Sequence, residues 1–365
     1  MTDREQQVLA LIREDPMLPQ QAIADRLGVS RSAVAAHVMN LTSKGLIQGR
    51  GYVLSDWPFI VVIGGANVDI HGRSSKQLVG QDSNPGEVRI AAGGVARNIA
   101  ENLARLGVDT RLIAAVGSDQ HGQMLTSLCR EAGINVQHLH TIPNATTSTY
   151  MSILDDGGDM LLAINDMAIV EQLTAELLQT HAAMLKRAAL IVIDCNLQAD
   201  SLAWLCNNSG DVAIFADTVS AAKAARLRPH LDKIHTLKTG TIELEALTGM
   251  QARTRRQLDK ATAQLHAEGT KRVFVTRGGK GVYFSDEQKS GIRALPRKKL
   301  DIRNAGGAGD AFLAGLAYAW LAQQSVEDSI DFSQAAAEIT LTHDGTNNPA
   351  LSLALIQQTL EAQHA

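Results

Sequence analysis

The sequence predicts an α/β protein: a mostly parallel sheet sandwiched by helices, a small β lid, and a small helical domain ahead of both. Three observations predict it. After residue 58, short apolar runs rich in valine and isoleucine alternate with helical stretches, a pattern that builds parallel sheets covered on both faces. Glycine pairs follow several of those runs, at the strand ends where such sheets bind ligands. Residues 1–56 share neither feature.

Composition bounds the function. Hydrophobic residues make up 45% of the 365 and charged residues 20%, enough for a large core, while a net charge of −4 argues against a chain that coats nucleic acid or an anionic membrane. Cys129, Cys195 and Cys206 form no CxxC pair, so neither a zinc site nor a disulfide framework is expected. The polar N-terminus and the lack of a long apolar run point to a cytoplasmic protein.

Val8, Leu9, Leu11 and Ile12 have helical spacing, and Gln21 to Gly28 forms a second short helix ending at glycine. Ser30 suits the N-cap of a third helix carrying Val34, Val38 and Leu41. Leu46 to Leu54 alternates around glycines like a two-strand wing. This order resembles a winged helix-turn-helix DNA-binding domain, with Arg31, Ser32, His37 and Asn40 turned to a major groove. Six basic residues (Arg4, Arg13, Arg26, Arg31, Lys44, Arg50) meet six acidic ones (Asp3, Glu5, Glu14, Asp15, Asp25, Asp56). A DNA binder usually shows a basic footprint, so a dimerising or regulatory module is the alternative. Trp57-Pro58 marks the junction.

Strands are expected at Ile60–Ile63, Leu112–Val116, Leu190–Ile193, Ala213–Ala216 and Arg272–Val275, with helices at Arg97–Leu106 and Gln257–Glu268. Residues 70–91 and 149–162 break the alternation and read as hairpins of a lid that keeps water from the reaction.

The densest chemistry lies at Gly307-Ala308-Gly309-Asp310, just ahead of a long helix. Bare N–H groups at a helix start hold an anion, and an aspartate there suits a general base that deprotonates a hydroxyl as phosphoryl transfer occurs. A plain glycine turn capped by Asp310 is the other reading. Asn67 and Asp69, two residues apart after Gly64-Gly65, share a face if extended and suit vicinal sugar hydroxyls; an Asx turn is the alternative. Gly93-Gly94 opens a helix with Asn98 one turn inside.

In order and spacing these three segments resemble the ribokinase (PfkB) family of sugar and nucleoside kinases over residues 58 to about 360. The resemblance implies a ribokinase-like fold, ATP and Mg²⁺ as cofactors, and Asp310 as base beside an anion hole of Gly307, Ala308 and Gly309. It implies that Thr276, Gly278 and Gly281 hold ATP together with Lys238 and Asn348, and that Glu243 organises the metal's waters. Within the family, the strings Asp82–Gly86, Ala163–Met167, Asp194–Asn196 and Thr346–Pro349 resemble pseudouridine kinases. That likeness implies Asn67, Asp69, Gly93, Gly94 and Asn98 on the ribosyl hydroxyls, and Asn165 and Asn196 toward sugar or base.

Two departures stand out. The family's Pro-Asn after Lys238 is Thr239-Gly240, and a threonine ahead of the anion hole is absent from Asn304–Gly307. Without an acidic residue at Asn304, a strong K⁺ site is not expected. The leading expectation is a kinase of a nucleoside 5′-hydroxyl, pseudouridine foremost. Another nucleoside or a pentose is the second, and a nucleoside-sensing transcriptional regulator with DNA as partner the third. Family members pair through their lids, but the sequence fixes no oligomeric state. His121 and His235 lack partners at metal spacing, and Asp155, Asp156 and Asp159 read as a solvated hairpin tip.

Overall fold

The computed structural model describes residues 2–15, 17–43, 46–47, 58–157, 159–295 and 300–364. The chain divides into two compact units, Met1–Trp57 and Pro58–Ala365.

Among its described residues the first unit has the helices Asp3–Glu14, Gln20–Leu27 and Arg31–Ser43. Gly28 ends the second at φ 64°, and the Ala33 N–H donates to the Ser30 hydroxyl across 3.2 Å at the start of the third. Val8, Leu9, Ile23, Ala24, Val34, Val38 and Leu41 form its core. On the third helix Arg31, Ser32 and Asn40 are exposed and His37 is half-buried. The expected wing lies outside the described residues except for 46–47.

The second unit is built on two sheets. Its strands are β1 (Phe59–Ile63), β2 (Asn67–Ser74), β3 (Gly86–Gly93), β4 (Asp109–Gly117), β5 (Leu139–Ile142), β6 (Thr149–Leu154) and β7 (Met160–Asp166). The rest are β8 (Leu190–Asp194), β9 (Ile214–Asp217), β10 (Thr236–Gly240), β11 (Arg272–Thr276), β12 (Val282–Asp286) and β13 (Ser290–Arg293). A nine-stranded sheet runs β13-β12-β11-β10-β9-β8-β1-β4-β5. It is parallel from β5 to β11 and antiparallel at β12 and β13. The sequence reading did not foresee that antiparallel edge. Its cause is local: only Arg277–Gly281 link β11 to β12, too short for the crossover a parallel neighbour needs.

From β1 the chain goes to β4 on one side and β8 on the other. The carboxyl end of β1 is therefore the switch point where open sheets bind ligands. Two apolar layers, one on each face, seal the sheet.

The second sheet has the order β3-β2-β6-β7. Its register puts Asn67, Asp69 and His71 of β2 on one face with Gly93 and Ala91 of β3, Tyr150 and Ser152 of β6, and Asn165 of β7. Because strand side chains alternate, Val68, Ile70, Val88, Ile90, Met151, Leu162 and Ile164 take the other face. The first hairpin is wider than the expected 70–91, from Asn67 in β2 to Gly93 in β3, and the second starts at Thr149 as expected but runs past 162 to Asp166, so sugar-binding candidates lie in the lid strands themselves.

Candidate active site

The loop after β1 and the helix Val95–Arg105 are bound together by one buried carboxylate. Asp194, at the end of β8, accepts from the N–H groups of Gly65 (3.0 Å) and Ala96 (2.9 Å) through Oδ2, and from the Asn196 N–H (2.8 Å) through Oδ1. It is fully buried, and burial raises its pKa against those hydrogen bonds. Gly94 precedes the helix at φ 99°, where a Cβ would lie 2.5 Å from the Gly65 oxygen. The start of this helix is thus occupied by protein charge.

The helix Ala308–Leu321 begins differently. Gly307 precedes it at φ 76° with no side-chain cap, and a Cβ at Gly307 would meet the Thr346 carbonyl oxygen at 1.8 Å. A first turn without a capping side chain suits an external anion. Asp310 lies in that first turn, buried, and its Oδ2 accepts from the Asn98 amide at 2.7 Å. Burial, then the Asp217 charge, pushes the Asp310 pKa up to about 7, with Lys238 and Asn98 pulling the other way. A carboxylate tuned near neutrality suits a general base.

Lys238 rises from β10 under this turn. Its ammonium is 2.8 Å from Asp217 and 2.5 Å from where a Cβ on Gly309 would sit. Burial lowers its pKa, but Asp217, Asp310 and Glu243 outweigh burial and the net shift is upward. The lysine stays charged beside the uncapped turn.

Asn67 and Asp69 meet the same end of the sheet. The Asn67 amide donates to Asp69 at 2.6 Å, and Gly93 lies so close that a Cβ would fall 2.3 Å from the Asp69 carboxylate. Burial raises the Asp69 pKa. A cavity of about 410 Å³ is lined by Asn165, Asp166, Asn196, Gln198, Lys223 and Arg226, among others. Lys223 donates to Asn196 Oδ1 at 2.6 Å. A second cavity of about 400 Å³ is lined by Thr241, Glu243, Thr276, Gly278 and Lys280, among others. Gly281 is not among its lining residues; at φ 78° it closes the adjoining turn.

A family model described as pfkB family carbohydrate kinase matches residues 58–353. The chain belongs to the PfkB carbohydrate kinases. A winged helix-turn-helix DNA-binding model matches residues 1–48. Pseudouridine kinase of Escherichia coli (strain K12) is 41% identical over 83% of this chain and 96% of its own. A protein of the same organism named uncharacterized sugar kinase YeiI is 39% identical over 96% of this chain and 97% of its own. The fold matches Arabidopsis thaliana ribokinase, solved with ribose and ATP, at a TM-score of 0.75 or better: 0.77 over 84% of this chain and 99% of that one, at 22% identity. As a PfkB kinase the protein is a phosphotransferase with an alcohol acceptor, of the sugar and nucleoside kinase class.

Asn348 spends its amide on the Ile339 carbonyl (2.9 Å) and its Oδ1 on the Ala350 N–H (3.0 Å). At the departed segment, a side chain on Gly240 would begin 2.2 Å from Glu243 Oε2, so the Glu243 carboxylate fills the space left by the missing asparagine side chain. The sequence reading gave no role to Asp194, Asp217, Lys223 or Arg97. The signal for Asp194 and Asp217 was available: each is a carboxylate closing an apolar parallel strand at its carboxyl end. His235 is a packing residue, stacked on Phe215 and edge-on to Trp320.

Proposed function

We propose that the protein is an ATP-dependent kinase of the 5′-hydroxyl of a nucleoside, with pseudouridine as the substrate. The single observation that carries the chemistry is Asp310 in the first turn of a helix that no side chain caps, hydrogen-bonded to Asn98. Asp310 takes the hydroxyl proton, and the N–H groups of Gly307 to Gly309, with Lys238, stabilise charge on the phosphoryl oxygens. Asn67 and Asp69 hold ribosyl hydroxyls, and Asp194 keeps their loop against the helix.

The nucleotide fits the cleft of Thr276, Gly278 and Glu243, which adjoins Lys238 through β10 and β11. No three metal-ligating side chains converge among the described residues. A divalent ion would therefore have Glu243, phosphate oxygens and its own waters, which is the habit of Mg²⁺. Its chemistry when bound is to neutralise charge on the phosphates.

Two observations favour a nucleoside over free ribose: the likeness to pseudouridine kinase, and the polar cavity at Asn165, Asn196, Lys223 and Arg226. Such lining suits the carbonyl and N–H edges of a uracil ring. The test is ATP-dependent phosphorylation across pseudouridine, uridine, inosine and ribose. Turnover of pseudouridine well above the others supports the substrate, and turnover of another member keeps the mechanism and refutes the substrate.

A second role rests on the winged helix-turn-helix match: the head binds DNA and a nucleoside in the kinase unit biases that binding. Removing residues 1–56 would leave turnover intact and abolish DNA retention in a gel-shift assay. Loss of turnover would show that the head belongs to the enzyme.

A further inference from the structure

Arg97 is the largest of the fully buried side chains among the described residues, at 1% exposure. All three of its guanidinium nitrogens donate hydrogen bonds. Nε donates to the Gly93 carbonyl at 2.9 Å and Nη1 to Glu101 at 2.5 Å. Nη2 reaches the Ala92 carbonyl (3.2 Å), Asn347 Oδ1 (3.4 Å) and Asn98 Oδ1. Asn347 returns its amide to the Asn98 carbonyl at 2.9 Å, and Thr346 donates to the Ala92 carbonyl at 3.1 Å. One arginine thus joins the end of lid strand β3, the helix Val95–Arg105 and the loop packed behind Gly307.

The chemistry of the amide gives this network a direction. A carboxamide has one accepting end and one donating end. Arg97 can only donate, so the end of Asn98 against it is the oxygen. The opposite end, 2.7 Å from Asp310, is therefore NH₂ and can only donate. A carboxylate that receives this hydrogen bond is favoured in its ionised form, the form able to accept a proton.

We propose that Arg97 is a positioning residue that fixes the polarity of the Asn98 amide and so holds Asp310 as a proton acceptor, linked to the seating of β3. This rests on the reading of Asp310 as the base. The groups facing Asp310 are Asn98 of the helix Val95–Arg105, Asp194 of β8, Asp217 of β9 and Lys238 of β10. Arg97 acts through the first of them.

The experiment compares Arg97→Lys with Glu101→Gln in the full-length protein, following kcat, KM for ATP and the pH profile. Lysine keeps a cation beside Glu101 but cannot serve the same set of acceptors. Arg97→Lys is expected to lower kcat 10- to 100-fold, to move the acidic limb about one pH unit upward, and to leave KM for ATP within twofold. Glu101→Gln is expected to stay within twofold with the limb unmoved. A folded Arg97→Lys with wild-type kcat and limb overturns the proposal, as does an equal kcat loss in both variants with no limb shift. If Arg97→Lys does not fold, the double variant Arg97→Met/Glu101→Gln removes both buried charges together and is read the same way. An active Asp310→Asn would instead refute the base itself; an inactive Asp310→Asn beside an unaffected Arg97→Lys refutes this proposal alone.

Discussion

Lys238 Nζ lies 2.8 Å from Asp217 and 2.5 Å from the point where a side chain on Gly309 would begin. The pair is anchored on adjacent strands, β9 and β10, so the cation is held beside the uncapped turn before any ligand arrives. Lys238→Met removes the charge that draws Asp310 downward. The acidic limb of kcat/KM, set on this reading by the Asp310 carboxyl that burial pushes up to about 7, is expected to move alkaline, and kcat to fall at least tenfold. A pH–rate profile of both proteins checks it; an unmoved limb shows that Lys238 does not act on Asp310.

The raised pKa of Asp310 carries a stability cost with a definite sign. Between the unfolded value of 3.8 and about 7, the folded state binds the proton more tightly, so stability falls as pH rises through that window. Asp310→Asn removes the titrating group. It is expected to melt above the wild type at pH 8 and to lose that advantage near pH 4, the gain being at most about 1.4 kcal/mol per pH unit crossed. Thermal melts at the two pH values decide it.

Gly307→Ala drives a Cβ into the Thr346 carbonyl at a backbone angle that disfavours side chains. More than 100-fold loss of turnover is expected. Gly80→Ala, whose Cβ meets nothing within 4 Å, serves as the matched control with unchanged kinetics. Steady-state rates and melting curves of the two variants check the contrast.

Lys223→Met tests the polar cavity. It frees Asn196 Oδ1 from its 2.6 Å partner and removes a cation facing the proposed base. KM for pseudouridine is expected to rise at least tenfold, with any turnover of ribose unchanged. Equal effects on both substrates would place Lys223 outside base recognition.

Much of this site was legible because its chemistry is local. Gly307 to Asp310 are consecutive, and Asn67 and Asp69 are two apart on one strand, so spacing alone gave their common face. The parallel sheet was legible for the same reason, its strands being contiguous apolar runs. Asp194 and Asp217 were harder: each closes a strand, but their tasks depend on Ala96 and Lys238, 98 and 21 residues away. Arg97 was invisible as a hub because its partner Asn347 is 250 residues distant, and its sequence neighbours suggest only a polar helix face. For Asn348 the match to a family string says nothing about which way its amide turns, and in the structure it donates to the Ile339 carbonyl.

The central claim is that Asp310 takes the proton from the acceptor hydroxyl. The most direct measurement is transfer of the γ-phosphoryl group of ATP to pseudouridine by wild type and Asp310→Ala at saturating substrates, with binding of both substrates measured in parallel. The account predicts a 5′-phosphate product from the wild type, and at least a thousandfold loss of kcat in the variant with binding retained. Comparable turnover by Asp310→Ala would contradict it.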